Sequence, residues 1–386
     1  MKILILTNYD LGLYRFRKEL IASLLKKHRV YISLPYGKYV DLLKEMGCRF
    51  VDTPVDRRGL NPLKDLRLMA QYRRIIKTIQ PDLVITYTIK PNIYGGSICR
   101  IYKVPIAVNV SGLGTIFEYK GLLQAVVSSM YRFAIENARV IFVENSSIKN
   151  VLVSKKIASK SIIYTLNGAG VNLQDFPFAP YPKNDTFQFL FVGRIMKEKG
   201  IEELFEAVRR LNQNGYKCIL HLVGFLEEDY DAEIKKGCEE GWLCNHGLQE
   251  NVYPFIEAAD CMVLPSWHEG MANTNLEGAS VGRPVITSNI PGCKEAVLDG
   301  VSGFVCEKKS LDSLYAAMKR MWMLTRGERA CMGREGRRYM EQVFDKKRVV
   351  EKTISLLFQF PVKESQLYRK KGSSHGSEST KEESNK

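Results

Sequence analysis

Glu269 and Glu277 are separated by seven residues in the stretch LPSWHEGMANTNLEGASVGRPVITSNIPGCKEAV, with Gly270 directly after the first and a helical pattern running toward the second. A carboxylate at a strand end, followed by Gly and a helix start, turns backbone N–H groups and a helix N-terminus toward one point. That environment favours a phosphate or a sugar ring. Two turns further on, Glu277 is placed to accept hydrogen bonds from ribose hydroxyls. As bare spacing the pair describes two solvated helix residues equally well, because chance matches are common. A second group of residues lies in FVGRIMKEKGIEEL, where Gly193, Arg194 and Lys199 follow a strand and precede a helix beginning near Ile201. Cations oppose the dipole at a helix start, so their presence there asks for a reason.

The elements that must position these residues are legible from periodicity. Short apolar runs (Ile3–Leu6, Val30–Leu34, Leu83–Thr86, Ile106–Val110, Val140–Val143, then Phe189–Val192, Cys218–Val223, Cys261–Leu264, Pro284–Thr287) alternate with amphipathic stretches. Continuous apolar strands separated by helices predict parallel sheets covered on both faces. The alternation occurs twice, predicting two doubly wound α/β domains. The boundaries are 1–172, a linker at 173–187 whose Pro-rich core Asp175–Thr186 reads as a hinge, 188–345, a helix at 346–360 packing back on the first domain, and a disordered tail at 361–386. Ligands of such sheets bind at the carboxyl ends of the strands. The first strand is followed by one glycine where a dinucleotide fingerprint needs three, and GxxxxGK[ST] is absent, which argues against NAD and P-loop chemistry.

Composition narrows the class. The 386 residues are 45% hydrophobic and 26% charged, with no apolar run long enough to span a bilayer. The start, MKILILTNYD, reads as a first strand, not as a signal peptide. Nine cysteines without CxxC spacing predict reduced thiols and neither a disulfide framework nor a zinc site. The net charge of +15 is confined to residues 1–180, where basic residues outnumber acidic ones 27 to 12, while 181–386 balance at 30 each. A basic half attracts a polyanion: nucleic acid, anionic lipid or a phosphorylated substrate.

The stretch Pro265-Ser266, Glu269-Gly270, Glu277, Gly282-Arg283-Pro284-Val285-Ile286 and Pro291-Gly292, with Asp299-Gly300 and Ser302-Gly303-Phe304 after it, closely resembles the retaining glycosyltransferases of family 4. The resemblance covers about 1–345. It implies the GT-B architecture, two Rossmann-like domains facing across a cleft, and sugar transfer from a nucleotide diphosphate, with UDP favoured over GDP. By the same resemblance, Glu269, Arg194 and Lys199 are the catalytic groups, and Gly12, Gly193, Gly224, Gly270, Met271, Ala272 and Glu277 bind the donor. Gly12 is expected in a loop that lets acceptor and donor approach. No metal or other cofactor is implied, because the two cations take that role. Arg15 and Arg17 are open between phosphate or acceptor contacts and plain surface charge.

The chain departs from the family where many relatives carry a histidine after the fourth strand. That region reads VITYTIKPNIYGG, with Thr88 and Lys90 in its place. Lys90-Pro91-Asn92 and the segment VSGLGTIFEYKGLLQAVVSSMYRF resemble a subgroup that builds surface polysaccharides and lipid-linked oligosaccharides. This implies a polyprenyl-diphosphate-linked acceptor and a peripheral protein at the cytoplasmic face of the membrane. Lys90 is open between a phosphate contact and a loop lysine, and Glu118 is a candidate acceptor base. Phe117, Tyr119, Leu122, Val126 and Met130 are open between a lipid-facing surface and an ordinary core helix. A soluble acceptor is the main alternative. A non-catalytic nucleic-acid binder leaves the two glutamates unexplained, so no nucleic-acid partner is expected.

Overall fold

The computed structural model describes residues 1–56, 59, 61–112 and 121–359. Phe117, Glu118, Tyr119 and the expected tail at 361–386 lie outside the described residues. The first domain is a parallel sheet of seven strands, β1 (Lys2–Leu6), β2 (Arg29–Leu34), β3 (Arg49–Asp52), β4 (Leu83–Tyr87), β5 (Ile106–Val110), β6 (Ala138–Val143) and β7 (Ile163–Thr165), ordered β3-β2-β1-β4-β5-β6-β7. The second has six, β8 (Phe187–Val192), β9 (Cys218–Val223), β10 (Leu243–Asn245), β11 (Cys261–Leu264), β12 (Val285–Ser288) and β13 (Gly303–Cys306), ordered β10-β9-β8-β11-β12-β13. Both sheets reverse order beside their first strand, which opens a crevice at the carboxyl ends of β1/β4 and of β8/β11. The central strands are buried on both faces, as their unbroken Val, Ile and Leu runs require. The sequence reading found the nine inner strands; the four it missed, β3, β7, β10 and β13, are the four sheet edges. They run three or four residues, too short for a periodic signal.

Helix α1 spans Asp10–Leu25, five residues earlier than the pattern suggested. Gly12 therefore lies in the first turn of a helix and not in a loop. The amphipathic pattern is legible only from Arg15 because Leu11 and Gly12 of the first turn line the crevice, while Leu13 joins the core.

The Pro-rich segment is not a free hinge. The Ala179 N–H donates to Val281 O at 3.1 Å and the Tyr181 hydroxyl to Asp260 O at 2.9 Å, fixing the segment to the second domain. Prolines mark irregular backbone here, without slack. The chain crosses between domains instead at 166–171 and 344–346, and these passages run side by side: Val171 N–H donates to Phe344 O at 2.8 Å and Lys346 N–H to Val171 O at 3.0 Å. Helix α13 (Lys346–Phe358) then lays Val350, Ile354 and Leu357 on the core of the first domain.

Fully buried Arg283 ties this region together. Its guanidinium donates to the carbonyls of Ala179 (3.1 Å), Pro180 (2.9 Å), Ile256 (3.2 Å) and Glu257 (2.8 Å). It thereby joins the linker to the end of helix α9 (Tyr253–Ala258). Arg283→Met should cost about 3 kcal/mol or more, because it strands several buried acceptors at once. A urea midpoint equal to that of the wild type would contradict this.

Candidate active site

The loop after β11 and the helix α10 (Asn273–Val281) carry the two glutamates, and the loop after β8 carries the two cations. All four side chains line one cleft of about 680 Å³ between the domains. Gly193, Gly224, Met271 and Ala272 line it too, with Arg15 from the first domain. Glu269 is paired in a short contact with Lys199 and accepts from Ser266 Oγ at 2.8 Å. Arg194 is 42% exposed and, among the described residues, meets Glu227 at 3.5 Å, so its guanidinium can turn toward a ligand. Glu277 is buried on α10, and burial pushes its carboxyl up, against the pull of Arg15 and Lys346. Its Oε1 meets Arg15 Nη2 at 3.4 Å, while Oε2 is buried with no hydrogen-bond partner among the described residues. A carboxylate oxygen left in that condition is expensive, and it is open to a donor from a ligand.

Two glycines are dictated by close approach. Gly224 has φ +155°, and a Cβ there would stand 1.7 Å from Gly193 O, so the ends of β8 and β9 meet only without side chains. Gly270 touches the first domain: a Cβ would stand 1.9 Å from Ser111 O and 2.6 Å from Glu144 Oε2. Asn145 Nδ2 donates to Gly270 O at 2.9 Å.

The remaining expected residues divide. Arg15 reaches the cleft, and Gly12 lines a smaller recess adjoining it. Lys90 does not line the cleft; it pairs with Asp65 at 2.7 Å on helix α3 (Pro62–Ile79), whose carboxylate also accepts from Tyr94. Its charge is paired within the first domain. The one further pattern of note, the Asp-x-Asp of Asp229 and Asp231, was not among the expected residues; it stands at the start of helix α8 (Asp231–Glu239), outside the cleft lining. Among the described residues no group of three His, Cys, Asp or Glu side chains is placed to hold a metal ion.

Sequence reasoning passed over Glu144, the partner of Arg17. Glu144 follows β6, with Oε1 at 3.2 Å from Arg17 Nη2 and 15% of the side chain exposed. Burial pushes its carboxyl up to about 7, Arg17 pulls the other way, and nearby Glu269 adds to the rise. The one signal available was a charged residue where the strand's apolar run ends, which is common in any loop.

With the geometry in place, comparison with known proteins decides the family. A profile described as "Glycosyl transferase 4-like" matches residues 2–145 and one described as "Glycosyl transferases group 1" matches 186–323, together well over half the chain. The chain belongs to the GT-B glycosyltransferases. Among its relatives, the N,N'-diacetylbacillosaminyl-diphospho-undecaprenol alpha-1,3-N-acetylgalactosaminyltransferase of Campylobacter jejuni is 23% identical, the match covering 81% of this chain and 87% of the relative. The UDP-Gal:alpha-D-GlcNAc-diphosphoundecaprenol alpha-1,3-galactosyltransferase of Escherichia coli is 27% identical over 74% and 77%. Among solved structures, Anabaena Alr3699/HepE in complex with UDP and glucose superposes with a TM-score of 0.77 at 16% identity, covering 93% of this glycosyltransferase and all of that chain, a likeness of fold.

The raised Glu144 carboxyl makes a prediction about pH. A carboxyl whose pKa rises on folding holds its proton more tightly in the folded chain, so the stability it lends is present at low pH and lost as pH climbs through about 7. Glu144→Gln removes that loss. Its melting temperature relative to wild type should rise more at pH 8 than at pH 5; equal gains at both would contradict it.

Proposed function

We propose that this glycosyltransferase moves a hexose or N-acetylhexosamine from UDP to a polyprenyl-diphosphate-linked saccharide, retaining the anomeric configuration. The observation that carries the reading is the convergence of Arg194, Lys199, Glu269 and Glu277 on one cleft. The donor diphosphate lies against Arg194 and Lys199, Glu269 and the amides after Gly270 orient the sugar, and the unpartnered Oε2 of Glu277 accepts from the ribose. As the anomeric C–O bond to the β-phosphate breaks, the two cations neutralise the charge that develops. The acceptor oxygen bonds to the anomeric carbon from the same face, and its proton passes to the departing phosphate oxygen. The cations take the place of a metal in this scheme.

A lipid-linked acceptor is supported by the Campylobacter and Escherichia coli relatives, whose names specify undecaprenyl diphosphate acceptors. UDP is supported by the second of those names and by the ligand in the Anabaena structure. No helix among the described residues is long and apolar enough to cross a membrane. In this reading the basic first half rests on an anionic leaflet at the cytoplasmic face, with exposed Val126 and Phe133 on helix α5 (Leu122–Ile135) beside Arg132.

UDP at about 100 times its Kd should stabilise the folded protein by about 2.7 kcal/mol, read as a rise in melting temperature that GDP does not match. Absence of a shift with UDP and every UDP-sugar would sink the donor assignment. Glu269→Ala and Lys199→Ala should each lower turnover roughly 100-fold or more. Near-wild-type rates in both would remove the proposed chemistry.

A further inference from the structure

Beside the main cleft, on the first-domain side, lies a recess of about 240 Å³ that shares Asn8, Tyr9, Thr88 and Asn273 with the cleft lining. It has room for one monosaccharide ring and not for a nucleoside diphosphate. Its polar walls are unusual in three respects. Glu144 is held there by Arg17, whose guanidinium also lies 5.2 Å from the centre of the Tyr87 ring, so the carboxylate has a fixed orientation. Thr88 sits at φ +71°, a left-handed conformation that a β-branched residue adopts at a cost, and its Oγ1 is buried without a partner among the described residues. Asn273, at the start of α10 in the other domain, likewise has a buried Oδ1 with no partner. Glu144 Oε2 faces Gly270, the residue after Glu269.

We propose that this recess is the subsite for the hydroxyls of the transferred pyranose, and that Glu144, with Thr88 and Asn273, sets which sugar is accepted. The inference rests on the nucleotide-sugar reading above and names the residues that read the sugar. A pyranose presents neighbouring O–H donors, and the recess presents a carboxylate, an amide oxygen and a hydroxyl to receive them. A site built to bind a substrate hydroxyl rejects the analogue lacking it, because its own buried groups are then left unpaired. A sugar gripped by Glu269 on one side meets Glu144 across the Gly270 contact on the other. Thr88 follows the end of β4 and lines both the recess and the cleft.

The test is equilibrium binding by titration calorimetry of UDP, UDP-glucose, UDP-galactose, their N-acetylhexosamine counterparts and the 3-, 4- and 6-deoxy forms of the tightest binder. In the wild type, loss of one particular hydroxyl should weaken binding roughly 10- to 100-fold. In Glu144→Gln that penalty should fall below about 3-fold, while the Kd for UDP itself changes less than about 2-fold. Thr88→Ala should reduce the same penalty in part, and it carries the test if the Gln variant does not fold. Deoxy penalties identical in wild type and both variants, with UDP binding intact, would overturn the subsite. Failure of UDP and all UDP-sugars to bind wild type would instead overturn the nucleotide-sugar reading, and the subsite with it.

Discussion

Everything in the site depends on the missing side chain at Gly270. Only a bare Cα lets the loop after β11 come within contact of Ser111 and Glu144, and so lets strand ends from two separate sheets share one space. Fixed geometry at the meeting point is worth a large part of the barrier in a two-substrate reaction, because it replaces a search in solution with a preset approach. Lys199 and Glu269 pair within the second half, whereas Arg15 and Glu277 pair across the two halves that this contact brings together.

The cleft stores electrostatic cost. Glu144 and Glu277 are carboxyls whose burial opposes ionisation, and each has a single arginine in reach. Lys346 is buried as well and its pKa is lowered by the same desolvation, with Glu19 at 3.5 Å as partial compensation. Groups so placed weaken the free protein and favour any ligand that completes their hydrogen bonding. The hydrophobic cores under both sheets carry the stability that offsets this.

What the sequence revealed follows from where physical signals are strong. Inner strands announce themselves because burial on both faces forces runs of Val, Ile and Leu, whereas the four edge strands are only three or four residues long and leave no such mark. Glu269 and Glu277 stood out only because several neighbouring motif positions agreed with them. The pairing of Lys90 was not legible because its partner, Asp65, lies 25 residues away and only folding brings them together. Glu144 escaped notice for a related reason: its surroundings are assembled from β6, α1 and a loop of the other domain, and no local window contains them.

The paired passages at 166–171 and 344–346 have a mechanical consequence. Two chain segments bonded to each other make one crossing between the halves, with Val171 donating to Phe344 and accepting from Lys346. The Pro-rich segment belongs with the second half, anchored through Arg283. A displacement of one half against the other is felt at this one crossing, by both passages together.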